Sequence, residues 1–110
     1  MAKFETNLKG NFDQIIRAVD NAVHSSLSAS TEESSDYVVG DARIVIKAYE
    51  RYSVIGENRV SLTVTFVQCQ DSIRVTAVAT GGSQAMFFKM NTFGEKSFLN
   101  VVTNVLLQFT

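Results

Sequence analysis

Proline and tryptophan are absent from the 110 residues, and cysteine and histidine occur once each. Without proline, cis-proline turns and a proline-rich linker are excluded. Cys69 has no partner for an intramolecular disulfide, which excludes a stapled secreted fold and makes the cytoplasm the expected compartment. One Cys and one His cannot build a Cys/His zinc site, which takes about four such ligands, and no other cofactor signature is present. An excess of one charge is missing too: 10 Lys+Arg stand against 11 Asp+Glu, a net charge of -1. The chain as a whole therefore does not attract nucleic acid or a membrane surface, and such a role needs its charges segregated onto one face. The densest apolar runs, Val105-Leu-Leu107 and Ala85-Met-Phe-Phe88, fall far short of the roughly 20 residues of a membrane span. The start, Met1-Ala-Lys-Phe-Glu-Thr-Asn7, alternates polar with apolar and offers no continuous apolar signal segment, so a soluble protein without membrane association is expected.

What is present is an ordinary globular composition, 45% hydrophobic and 19% charged. A chain of this length forms one domain, residues 1–110, that buries roughly 65% of the surface its unfolded form exposes. Phe4, Thr6 and Leu8 alternate with Lys3, Glu5, Asn7 and Lys9, the pattern of a half-exposed strand ended by Gly10. From Asn11 the period changes. Phe12, Ile15, Ile16, Val19, Ala22, Val23 and Leu27 form the stripe of an amphipathic helix, with Asn11 as N-cap and Gln14 three residues on. The hydroxyl-rich, acidic stretch Ser25 to Asp36 reads as an exposed loop. Tyr37-Val-Val39 resumes the sheet, and Gly40-Asp41 makes a tight turn into three strands, Ala42 to Tyr52, Arg59 to Gln68 and Ser72 to Thr80. Connections this short force antiparallel neighbours. Ile44, Ile46 and Ala48, then Val60, Leu62, Val64 and Phe66, then Ile73, Val75, Ala77 and Ala79 read as the buried parity. Ala85 to Met90 reads as a short last strand. Thr92 and Glu95 then form a capping box that opens a helix with the stripe Phe98, Val101, Val102, Val105, Leu106 and Phe109.

The expected fold is α+β in two layers: a curved antiparallel sheet of about five to six strands, in the order strand, helix, strands, helix, with two helices on one face. The order resembles the saddle-like half-barrel of the TATA-box-binding protein (TBP-like) and, more loosely, a small helix-grip fold. Both likenesses concern architecture and carry no function.

The glycine pair in Gly81-Gly82-Ser83-Gln84 invites comparison with a phosphate loop. A P-loop needs Gly-x-x-x-x-Gly-Lys-Ser/Thr running into a helix, and a dinucleotide fingerprint needs Gly-x-Gly-x-x-Gly within a βαβ unit. Neither is met, and the glycines read as a bend where the sheet turns a corner. Ser83 lacks a base and an orienting partner in sequence, and no Gly-x-Ser-x-Gly elbow surrounds it. His24, on the first helix, reads as a solvated or structural histidine. Cys69, flanked by Gln68 and Gln70, has no basic neighbour in sequence to activate it. No catalytic residue is assigned. Glu50 shares the parity of Ile44, Ile46 and Ala48, so it is a carboxylate aimed at the core near a strand end. With Tyr52 and Gly81, Gly82, Ser83 and Gln84 it outlines a candidate ligand pocket at the end of the sheet.

The opposite parity collects Arg43, Lys47, Tyr49, Arg51, Arg59 and Arg74 among Ser, Thr and Val, with the acids in loops, turns and helices. A nearly neutral chain would thus present a basic, hydroxyl-rich outer face. It would suit an anionic ligand, nucleic acid included, or sheet-to-sheet contact in a homodimer through Val45, Tyr49, Val67 and Val78. The leading expectation is a non-enzymatic binding or self-association module using this face. The alternative is a small-ligand-binding protein or enzyme using the Glu50 pocket.

Tyr37-Val-Val-Gly-Asp41, Tyr49-Glu-Arg-Tyr52, Asn58-Arg-Val-Ser-Leu62, Gly81-Gly-Ser-Gln-Ala85 and Asn91-Thr-Phe-Gly-Glu95 together resemble a family of short uncharacterised bacterial proteins classed as a domain of unknown function. The resemblance covers nearly the whole chain. It implies a bacterial cytoplasmic protein and supplies no catalytic residues.

Overall fold

The computed structural model describes residues 2–26, 29–53, 58–81 and 88–110, the side chains of 53, 58 and 88–96 excepted. The chain runs β1 (Ala2–Leu8), α1 (Phe12–His24), β2 (Ala29–Val39), β3 (Ala42–Ser53), β4 (Asn58–Cys69), β5 (Ser72–Gly81) and α2 (Phe88–Leu106), closing on a 3-10 turn at Leu107–Phe109. The five strands form one antiparallel sheet in the order β1-β5-β4-β3-β2. The two helices complete an α+β domain.

Local chemistry explains most of the joints. Gly10 sits at φ 122°, a conformation that L side chains rarely adopt, and lets the chain leave β1 beside the Phe109 ring. Asn11 then accepts a hydrogen bond from the Gln14 backbone N–H at 2.9 Å through its side-chain oxygen, which caps α1 as its spacing predicts. The helix buries Phe12, Ile15, Ile16, Val19 and Val23 of the expected stripe; Ala22 is half-buried, and Leu27 lies outside the described residues. Both two-residue turns between strands begin with a residue at positive φ, Gly40 at 58° and Gln70 at 54°. The Lys9 N–H donates to the Phe109 carbonyl at 2.7 Å and ties the chain's last turn to the end of β1.

The core lies between sheet and helices. Val60, Leu62, Val64 and Phe66 of β4 and Ile73, Val75, Ala77 and Ala79 of β5 are buried, as their alternation predicts, and meet Phe98, Leu99, Val102 and Leu106 of α2. Helix α2 packs on β5, β1 and β4, whereas α1 packs on α2 and β2.

Three expectations fail, each for a physical reason. Residues 29–36 form strand, not loop: β2 pairs with β3 from Ala29↔Arg51 to Val39↔Ala42. A strand exposed at nearly every position carries no hydrophobic period, so only its pairing partner reveals it. The backbone of Phe88 to Met90 is helical, not extended, and Thr92-Phe-Gly-Glu95 lies inside α2 and not at its start. The rest of the expected strand, 85–87, lies outside the described residues.

The third failure is the parity of β3. Val45 and Tyr49 are buried, while Ile44, Ile46 and Ala48 are only partly so. The register decides this: Val45 pairs with Phe66, Lys47 with Val64, Tyr49 with Leu62 and Arg51 with Val60. Directly opposed residues share a face, so the odd residues of β3 join the even residues of β4 under the helices. Even facing even would need an odd number of residues in the β3–β4 connection, and Ser53 pairs with Asn58 across four, 54–57.

Candidate functional site

With the register fixed, β3 is inverted relative to ordinary patterning. Its covered side carries, in order, Arg43, Val45, Lys47, Tyr49 and Arg51. These cations do not face the solvent side of the sheet; they clip it to the helices. Arg43 donates to both oxygens of Asp36 on β2, at 3.1 and 2.7 Å, and to Asp13 of α1 at 2.9 Å, with its guanidinium 5.3 Å from the Phe12 ring centre. The bonds to Asp36 and then Asp13 hold the Arg43 guanidinium far above its ordinary pKa, and the same contact lowers Asp36 below the usual carboxylate value. Lys47 approaches Asp20 of α1 at 3.5 Å. Arg51 lies over the Phe98 ring at 4.7 Å and donates to Ser97 at 3.1 Å; burial lowers its pKa.

Tyr49 is 1% exposed, and its hydroxyl donates to Asp20 at 2.9 Å. Burial first, then this bond, pushes its phenol well above the ordinary value. His24 stands edge-on to the Tyr49 ring and bonds the Thr31 hydroxyl at 2.5 Å through Nε2. Its Nδ1 lies 3.6 Å from Asp20. The histidine thus ties the end of α1 to β2.

The open side of the sheet carries the complement. Tyr37↔Ile44↔Val67↔Arg74↔Asn7 forms one row across the five strands, Ser35↔Ile46↔Thr65↔Thr76↔Glu5 the next, and Glu33↔Ala48↔Thr63↔Val78↔Lys3 a third. Val39 adjoins them, 65% exposed, and Tyr37 is 46% exposed. On the β2–β3–β4 side Tyr37, Val39, Ile44, Ile46, Ala48 and Val67 form an apolar band broken by Ser35, Glu33, Thr63 and Thr65. The β1–β5 side is polar and internally neutralised: Arg74 reaches Glu5 at 3.1 Å and donates to Asn7 at 2.9 Å. The Thr76 hydroxyl bonds Glu5 at 2.6 Å and, ahead of Arg74, lowers its pKa.

Of the six residues expected on one basic outer face, only Arg59 and Arg74 belong to the open side. Arg43, Lys47, Tyr49 and Arg51 are on the covered side, and Val45 and Tyr49 are removed from any sheet-to-sheet contact for the same reason. Glu50, expected to point at the core, belongs to the open side with Tyr52. The two line a cleft of about 330 Å³ with Ser30, Glu32 and Arg59. Gly81 pairs with Val60 at the end of β5, and Gly82, Ser83 and Gln84 lie outside the described residues. Sequence reasoning missed Ile44 and Ile46 as surface residues because two β-branched apolar residues in alternation signal a core. It missed Ser30 and Glu32 because their strand has no burial period. The bulge between Thr31 and Glu33, which sets Glu32 apart, leaves no trace in composition.

Among the described residues no group of three or more His, Cys, Asp and Glu could hold a metal ion, and no helix is long and apolar enough to cross a membrane. The fold and its two-sided β3 define an α+β domain with one sheet face open. The chain belongs to the family of unknown function DUF6054, which it matches over residues 1–110. No curated protein and no solved structure matches it.

Proposed function

We propose that this domain is a non-enzymatic, self-associating module, and that a second copy of the chain covers its open sheet face. The observation that carries this reading is the inversion of β3, which places Ile44, Ile46 and Ala48 outward and its cations under the helices. An antiparallel sheet with one solvated face ordinarily keeps that face polar. Apolar residues spanning three neighbouring strands call for a covering surface.

A second copy suits the face for two reasons. Its cations Arg59 and Arg74 each sit beside a carboxylate, so the arginines of two such faces do not meet as unpaired like charges. Five strands spaced about 4.8 Å apart and paired over about nine residues give a face of roughly 700 Å², close to the roughly 800 Å² per partner of a stable interface. Pairing along the free edge of β2 is less suited, because Glu32, Glu33 and Asp36 would bring like charges together. The polyanion reading loses its support, since Arg43, Lys47 and Arg51 are engaged with the helices or β2. On architecture we read the domain as TBP-like or small helix-grip-like. We place it in the bacterial cytoplasm, where the exposed free thiol of Cys69 is compatible with a reducing environment.

Sedimentation across a wide concentration range tests the proposal. The wild type is expected to form a dimer, and the Ile44→Glu/Ile46→Glu double variant a monomer with an unchanged circular dichroism spectrum. A wild type that stays monomeric to millimolar concentration overturns it.

A further inference from the structure

The open face ends in the cleft formed by Ser30, Glu32, Glu50, Tyr52 and Arg59, and its chemistry differs from that of the apolar band. The register brings the residues together from three strands: Ser30 opposes Glu50, and Tyr52 opposes Arg59. Glu32 joins them because the bulge between Thr31 and Glu33 breaks the alternation of β2 at that point, and bulges commonly re-aim a side chain. The Ser30 hydroxyl donates to Glu32 Oε2 at 2.5 Å and holds that carboxylate in place. Among the described residues no cation neutralises Glu32.

Arg59 contacts Glu50 through one nitrogen only, Nη1 at 3.3 Å, and its side chain is 70% exposed. A guanidinium has five N–H donors in a planar fork that fits a carboxylate two-pronged, so among the described residues most of its capacity is unused. Tyr52, 44% exposed, offers a ring against which an apolar stem can lie. The volume of about 330 Å³ is at the small end of the roughly 300–1,000 Å³ of ligand sites.

We propose that this cleft binds a small zwitterion of the amino-acid class, its carboxylate on Arg59, its ammonium between Glu32 and Glu50, and its stem against Tyr52. Two carboxylates and one guanidinium leave the cleft net negative, which rejects a phosphate or a simple carboxylate. The guanidinium in turn favours a zwitterion over a plain amine, because its remaining N–H donors find an acceptor only on a ligand that carries its own carboxylate. The inference does not need self-association, and a second copy seated over Arg59 would compete with the ligand.

The test is to titrate the isotope-labelled full chain with the common amino acids one at a time, and with butylamine and butyrate, following backbone amide shifts. For at least one amino acid, saturable shifts at residues 30, 32, 50, 52 and 59 are expected at millimolar concentration, with binding about tenfold weaker or worse for the two single-charge compounds. Glu32→Gln and Arg59→Gln should each weaken binding about tenfold while shifts elsewhere keep the folded pattern. Both sites are solvent-exposed, so folding should survive. No saturable shift with any amino acid, equal binding of butylamine, or indifference to both variants overturns the proposal.

Discussion

The hydroxyl of Tyr49, buried in the middle of β3, donates a 2.9 Å hydrogen bond to Asp20 on α1, joining sheet to helix through the one polar atom of a 1% exposed side chain. Removing that atom should cost about 1.5–3 kcal/mol at neutral pH, the range for a bond to a charged acceptor. The Tyr49→Phe variant should therefore be less stable than wild type in urea unfolding at pH 7. The phenol's pKa is raised in the folded state, so the stability it contributes is complete below the unfolded value of about 10 and declines above it. The gap between Tyr49→Phe and wild type should accordingly narrow above about pH 10. A gap constant up to pH 11 would contradict the burial of this phenol.

Acid should act through Asp36. Its pKa is lowered in the folded state by the Arg43 bond, so its contribution is complete above the unfolded value of about 4 and disappears as pH falls through the folded one. Thermal unfolding should show wild type losing stability below about pH 4 more steeply than Arg43→Gln, in which the partner is gone. Parallel curves for the two proteins would argue against the contact.

The two faces of the sheet should differ in how they tolerate substitution. Phe66→Ala, on the covered face at full burial, should cost about 3–5 kcal/mol, enough to leave a small domain only marginally folded. Ile44→Thr, on the open face, should change the unfolding free energy of the monomer by no more than about 1 kcal/mol while weakening association. Chemical denaturation at low protein concentration separates the two effects, and equal costs would mean that Ile44 lies in the core.

Asn11→Ala should cost about 1 kcal/mol, because the Gln14 N–H then has no side-chain acceptor at the start of α1. Asn11→Asp, which keeps the acceptor, should restore it. Denaturation of the three proteins side by side measures both.

Where an element carries its own period, the sequence reading and the structure agree. The stripe of α1 names Phe12, Ile15, Ile16, Val19 and Val23 correctly, with Ala22 only half-buried, and the alternation of β4 and β5 names its buried residues one by one. Where an element is defined by its neighbour, they part. β2 exists because β3 offers it a ladder of hydrogen bonds, and a sequence of Ser, Thr and Glu has no reason of its own to be extended. Ile44 and Ile46 mislead because two alternating β-branched residues give the same local signal on either face of a strand. Arg43 and Lys47 mislead in the converse way, since long side chains can lie under a helix edge with their charges paired there. In the cleft, Glu50 and Tyr52 are legible as neighbours on one strand, whereas Glu32 reaches them only through a bulge.

The four-residue connection between Ser53 and Asn58 gives this domain a kind of gear. Moving the register by a single residue would turn β3 over, sending Ile44 and Ile46 beneath the helices and Arg43, Lys47 and Arg51 to the outside. The same amino acids would then make a cationic open face in place of one carrying Ile44 and Ile46. Insertions and deletions in that short hairpin are thus the changes most able to convert what this surface recognises, with no substitution anywhere on it.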